Sequence, residues 1–187
     1  MFEQLLKKIA LTFERHHIHY MVIGGQAVIF HGEPRLTRDI DVTLSSGPEE
    51  IHHVLEAIRD AGLDVLIDDA EGFACETMVV PCVDPGTEIR IDIVLSTSDY
   101  ERQAIERARR VATQGIQICF ATVEDLIIHK IIAGRPRDLE DARSILLKNP
   151  SPDIEYIEKW LRRFEDALVQ TFVNEFQEIL NETQKKK

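Results

Sequence analysis

Two aspartates two residues apart, Asp39 and Asp41, sit inside the alternating run Asp39-Ile40-Asp41-Val42-Thr43-Leu44. Side chains on a strand alternate between its faces. A strand here therefore sends Ile40, Val42 and Leu44 into a core and stands both carboxylates on the opposite face. Carboxylates this close repel each other unless a cation or a shared proton lies between them. Hard divalent cations with oxygen ligands, magnesium above all, suit such a pair. Taken alone, the pair is read more simply as a solvated strand edge.

The flanking sequence adds two more parts. Thirteen residues upstream stands Ile23-Gly24-Gly25, between a strand expected over His19–Ile23 and a helix expected from Gln26 to Phe30, which Gly32 and Pro34 stop. A double glycine there is either a plain turn or a place where a polyphosphate approaches backbone N–H groups, its charge favoured by the helix N-terminus. Downstream, in Glu88-Ile89-Arg90-Ile91-Asp92-Ile93, the isoleucines mark the buried face and Asp92 the polar one. If this strand pairs beside residues 39–44, three carboxylates meet. Magnesium-binding carboxylates beside a phosphate cradle are the equipment of in-line phosphoryl or nucleotidyl transfer. Thr37 and Arg38 precede the aspartates; Arg38 is either a phosphate contact or a plain surface arginine. Arg90 shares the face of Asp92, and a structural ion pair with Glu88 or Asp92 is the leading alternative to a substrate contact for it.

The other patterns predict a mixed α/β (α+β) chain. Residues 2–16 read as an amphipathic helix, and a second helix starts after Ser46-Gly47-Pro48 and ends at Gly62. A short strand is expected over Val65–Ile67. Thr77–Val80 and Glu88–Leu95 read as an antiparallel hairpin across Asp84-Pro85-Gly86-Thr87, with Asp68, Asp69 and Glu71 a solvated turn before it. Residues 99–108 are expected helical and Ile116–Phe120 a strand. After Phe120 the chain turns helical: Thr122 caps a helix through Ile131, another spans Arg137–Leu147, and 149–152 link to the end. Ile154, Ile157, Leu161, Phe164, Leu168, Phe172 and Phe176 mark one stripe of a long final helix, docked on residues 122–147 or forming a homodimer seam. The expected architecture is a mixed, partly antiparallel sheet flanked by helices, with a C-terminal helical bundle. Residues 1–120 form the core and 121–187 the helical region, as one domain or two.

The 187 residues hold 22 Lys+Arg against 33 Asp+Glu, a formal charge of −11. That argues against a broad basic surface for nucleic acid or anionic lipid. Lys130, Arg135 and Arg137 are a local exception suited to a triphosphate. Cys75, Cys82 and Cys119 form no Cys-x-x-Cys pair, so buried free thiols are expected and disulfides are not. The histidines at 16, 17, 19, 52 and 53 lack metal-ligand spacing, and His129 reads as packing or surface. No signal peptide and no run of roughly 20 apolar residues is seen, so a cytoplasmic protein without membrane partners is expected.

With these residues in view, the chain resembles the polymerase-beta-type nucleotidyltransferase superfamily. Ile23, Gly24, Gly25, Asp39, Ile40, Asp41, Val42 and Asp92 match its signature position by position, with Gly25 where many larger members carry serine. Leu126 to Asp138, followed by Asp141, looks like the Lys…Ala-x-Arg-x-Arg-Asp…Asp segment of the small AbiE-type branch, several of whose members are toxins of toxin–antitoxin pairs. The resemblance implies that Asp39, Asp41 and Asp92 hold two magnesium ions, or manganese, and that Asp92 helps deprotonate an acceptor hydroxyl. It implies that Gly24 and Gly25 cradle the β- and γ-phosphates of a nucleoside triphosphate such as ATP. Thr37 and Arg38 would stand nearby, with Lys130 a phosphate-contacting cation whose surroundings Arg137 and Asp138 fix. Pyrophosphate would leave, and the acceptor would be an RNA end such as that of tRNA, a protein side chain or a small molecule. The rival expectations are a catalytically silent binding protein paired with an antitoxin, and a metal-dependent phosphohydrolase.

Overall fold

The computed structural model describes residues 1–113 and 115–185. The chain divides into two compact units, one of residues 1–26 and 36–121, the other of residues 27–35 and 122 onward.

The first unit is built on a mixed sheet. Helix α1 (Phe2–Arg15) buries Leu5, Ile9 and Phe13 on one stripe, as their four-residue spacing requires. It leads into β1 (Tyr20–Ile23), which pairs antiparallel with β2 (Asp39–Leu44). A single 3-10 turn, Pro48–Glu50, opens α3 (Ile51–Asp60). The chain continues through β3 (Asp64–Val65), α4 (Ala70–Thr77), β4 (Val79–Val83) and β5 (Arg90–Val94). Then come α5 (Asp99–Arg107), β6 (Arg109–Thr113) and β7 (Ile116–Phe120). Among the described residues the strand order is β3-β4-β5-β2-β1-β7-β6. β2 runs parallel to β5 and β1 parallel to β7, while the remaining neighbours are antiparallel. Ile40, Val42, Ile91 and Ile93 are fully buried on one face of the central pair, which is what leaves the other face to the acids.

The second unit takes the rest of α2 (Gly24–His31) and the helices α6 (Val123–Ala133), α7 (Pro136–Lys148), α8 (Ile154–Leu168) and α9 (Phe172–Gln184). Thr122 caps α6, accepting from the Asp125 N–H at 3.2 Å. The buried Asp125 carboxylate in turn receives the Tyr156 hydroxyl at 2.7 Å, tying α8 to α6. Phe172, Phe176 and Ile179 carry the buried face of α9.

Several expectations need correction. The acidic residues 68, 69 and 71 are exposed, as expected, but they lead into a helix: the Asp69 carboxylate accepts from the Gly72 N–H at 3.0 Å and starts α4, so the later strand begins at Val79 rather than Thr77. β6 was not anticipated, because a mostly exposed edge strand shows no apolar alternation. The final stripe is borne by two helices, with Val169 in the left-handed region between them at φ 55°. Cys75 is exposed, although Cys82 is buried. All three cysteines are free, and no described helix is long and apolar enough to cross a membrane.

Candidate active site

β1 ends directly in the first turn of α2, and Gly24 makes that junction at φ 59°. Its missing side chain matters twice. The left-handed backbone favours glycine, and a Cβ on Gly24 would collide with the carboxylate of Asp41. The register explains that approach, since Ile23 is opposite Asp41 across β1 and β2.

On the other side of β2, the parallel register with β5 sets Asp41 level with Asp92 and Asp39 level with Arg90. Neighbouring strands lie about 4.8 Å apart, so Asp41 and Asp92 are side by side on one face, and Asp39 joins them from two residues along the same strand. All three acids are half-buried. Thr37 donates its hydroxyl to Asp39 Oδ1 at 2.7 Å, fixing that carboxylate from the preceding loop. Hence the register places Asp41 level with Asp92 and against Gly24, with Asp39 two residues along the same strand. Gly25 follows in the first turn of α2, where free backbone N–H groups and the helix dipole favour an anion. Among the described residues no three His, Cys, Asp or Glu side chains close on a single point. The chemistry of the residues present, hard carboxylate oxygens beside a position with no side chain at Gly24, is compatible with a hard divalent cation.

Arg38 and Arg90 are both exposed. The ion pair of Arg90 with Glu88 or Asp92 does not form: among the described residues the Arg90 side chain has no hydrogen bond or ion pair.

Within the second unit, Lys130 is buried and its ammonium lies 2.7 Å from Asp138 and 3.0 Å from Asp141. Asp138 also takes Arg135 at 2.8 Å, and Asp141 takes Arg35 at 2.8 and 3.0 Å. Burial raises the Asp138 pKa, but the hydrogen bonds and charges of Lys130 and Arg135 outweigh it and leave the carboxyl below its ordinary value. The local basic patch read from sequence is thus largely matched by acids, with Arg137 exposed beside it. Arg35 was not singled out from sequence. The available signal was the three-residue step from Asp138 to Asp141, which puts both acids on one side of a helix.

The histidines make ordinary contacts. His16 meets Asp60 at 2.8 Å, and His53 bonds the His16 carbonyl at 2.9 Å.

Residues 1–184 match the family described as "Nucleotidyltransferase of unknown function" (DUF6036). No curated protein matches the sequence. Among solved structures, the antibiotic-resistance factor ANT(2'')-Ia is similar in its solution structure, at 15% identity and TM-score 0.60, over 89% of this chain and 94% of that one. Its crystal structure in complex with adenylyl-2''-tobramycin matches at 16% identity and TM-score 0.58, over 89% and 98%. An antigenic nucleotidyltransferase-like protein from Paracoccidioides brasiliensis matches at 15% identity and TM-score 0.52, over 77% and 73%. At these identities the likeness is one of fold: the mixed sheet flanked by helices that the sequence led us to expect.

Proposed function

This chain belongs to that nucleotidyltransferase family, and we propose that it moves a nucleoside monophosphate from a nucleoside triphosphate to a hydroxyl acceptor, releasing pyrophosphate. The observation that carries this reading is the register that sets Asp41 level with Asp92 while Gly24 lies against the Asp41 carboxylate.

Asp39, Asp41 and Asp92 would hold magnesium, which when bound supplies Lewis-acid stabilisation of charge on the phosphates. The chain does the rest. The N–H groups of Gly24, Gly25 and the first turn of α2 bind the β- and γ-phosphates without a side chain in the way. Thr37 keeps Asp39 in one orientation, and Arg38 adds charge at the loop. Asp92 accepts the proton of the acceptor hydroxyl as its oxygen bonds to the α-phosphorus, and the bond from that phosphorus to the pyrophosphate oxygen breaks. Lys130 and Asp138 serve by holding α6 to α7. Residues 126–141 also support placement in the AbiE-type branch.

The test is incubation with each α-labelled ribonucleoside triphosphate, magnesium and cell extract, with Asp41→Asn as control. Label on an acceptor with pyrophosphate released, both lost in the variant while its melting temperature is kept, supports the reading. Release of orthophosphate instead indicates a phosphohydrolase. The absence of any magnesium-dependent nucleotide binding indicates a silent binding protein.

A further inference from the structure

Arg90 is the cation of this face that the transfer reaction, as written above, leaves unused. It stands on β5 two residues before Asp92, so both project from the same face about 6.6 Å apart along the strand. Its register partners are Asp39 on β2 and Val83 on β4. With Asp39, Asp92 and Glu88 all near it in sequence or register, it still makes no ion pair among the described residues and remains exposed. Exposed ion pairs are worth at most about 1 kcal/mol, so its guanidinium is available to a stronger partner.

The sheet order says from which side that partner comes. β1, β2 and β5 are consecutive neighbours. Gly24 approaches Asp41 from the β1 side, whereas Asp92 and Arg90 lie on the β5 side. A triphosphate seated on the glycine turn occupies the first side. The hydroxyl that gives its proton to Asp92 arrives on the second, where Arg90 waits.

We propose that Arg90 reads the acceptor, and that the acceptor carries a phosphate group next to its reacting hydroxyl. The inference rests on the transfer reaction proposed above. A guanidinium binds phosphate through two parallel N–H bonds and keeps its charge at any working pH. In a chain of formal charge −11, with three carboxylates on this face, a phosphate-bearing acceptor needs such a local counter-charge. A cationic acceptor would be held by the carboxylates and would gain nothing from Arg90.

The test uses the full chain with three acceptor probes: a short single-stranded RNA with a free 3′-hydroxyl, ribose 5-phosphate, and tobramycin as the cationic contrast. Binding is measured without turnover, beside binding of the nucleoside triphosphate with magnesium. Arg90→Ala should weaken the phosphate-bearing probes by about tenfold or more, Arg90→Lys should recover part of that loss, and triphosphate binding should hold. Which of the two phosphate probes binds wild type tells a nucleic-acid end from a small sugar phosphate. Wild type that binds neither of them, a loss equal on tobramycin, or a loss on the triphosphate instead overturns the inference. These readouts need no chemistry, so failure to transfer would sink the proposed reaction while still judging Arg90.

Discussion

The carboxylate of Asp41 fills the space that a side chain on Gly24 would take. Gly24→Ala therefore meets two penalties. The left-handed backbone costs a non-glycine residue about 1–2 kcal/mol, and the new methyl group must push Asp41 out of its place on the acidic face. We expect a lower melting temperature and a fall in transfer rate far larger than the lost stability explains, measured where the variant is still folded. Gly25, whose φ is not positive, should tolerate alanine with much less loss of stability. Full activity in Gly24→Ala would show that Asp41 is free to move without consequence.

Lys130 gives the sharpest contrast between sequence and structure. As a phosphate contact its loss would weaken nucleotide binding and leave the fold alone. In the structure its ammonium is enclosed by Asp138 and Asp141, whose side chains are only 9% and 5% exposed. Removing one member of a buried ionic set leaves the others uncompensated. Lys130→Met should cost about 3 kcal/mol, a drop on the order of 10 °C in Tm. Arg137→Ala, at an exposed position, should hardly change Tm. An unchanged Tm in Lys130→Met would restore the nucleotide role.

What was legible in the sequence was local. The alternation at 39–44 and 88–93 is set by burial of one face, so both strands and the direction of their acids could be read directly. That Asp92 lands level with Asp41 depends on register between strands some fifty residues apart, which no local pattern encodes. α4 was hidden because Gly72 and two acids interrupt its apolar residues, and its start depends on one Asp69 cap. The break between α8 and α9 was hidden because neither glycine nor proline marks it. Instead the Glu165 carboxylate accepts the Val173 N–H at 2.8 Å and caps the second helix. For Arg90 the sequence left an ion pair and a substrate contact open; closeness in sequence favoured the ion pair, but exposed pairs contribute too little to hold it.

His129 ties stability to pH. Enclosure by the surrounding protein lowers its pKa to about 4, opposed by the charge of Asp125 and aided by that of Lys130. In the unfolded chain the ring titrates near 6.5. Its folded value being the lower one, the neutral ring's contribution is whole above about pH 6.5 and is lost as pH falls towards about 4. Asp84, held low chiefly by its hydrogen bond from Lys8, and Asp138 extend the loss at still lower pH. Thermal melts between pH 7 and pH 4 should show Tm declining through this window. In His129→Gln the decline between pH 6.5 and 4 should flatten, and an unchanged slope would mean the ring is protonated in the fold.

Val169 holds a left-handed conformation at φ 55° and is 91% exposed. A β-branched residue is poorly suited to that region, and nothing it packs against repays the strain. Glycine there relieves about 1–2 kcal/mol and returns roughly 0.5–1 kcal/mol through the greater freedom of the unfolded chain. Val169→Gly should thus raise stability by about 0.5–1 kcal/mol, a few degrees in Tm for a chain of this size. Val169→Ile, which keeps the branch, should give no gain. If Val169→Gly lowers Tm instead, the two helices are not joined by a left-handed turn, and the unbroken stripe from Ile154 to Phe176 would again describe one helix.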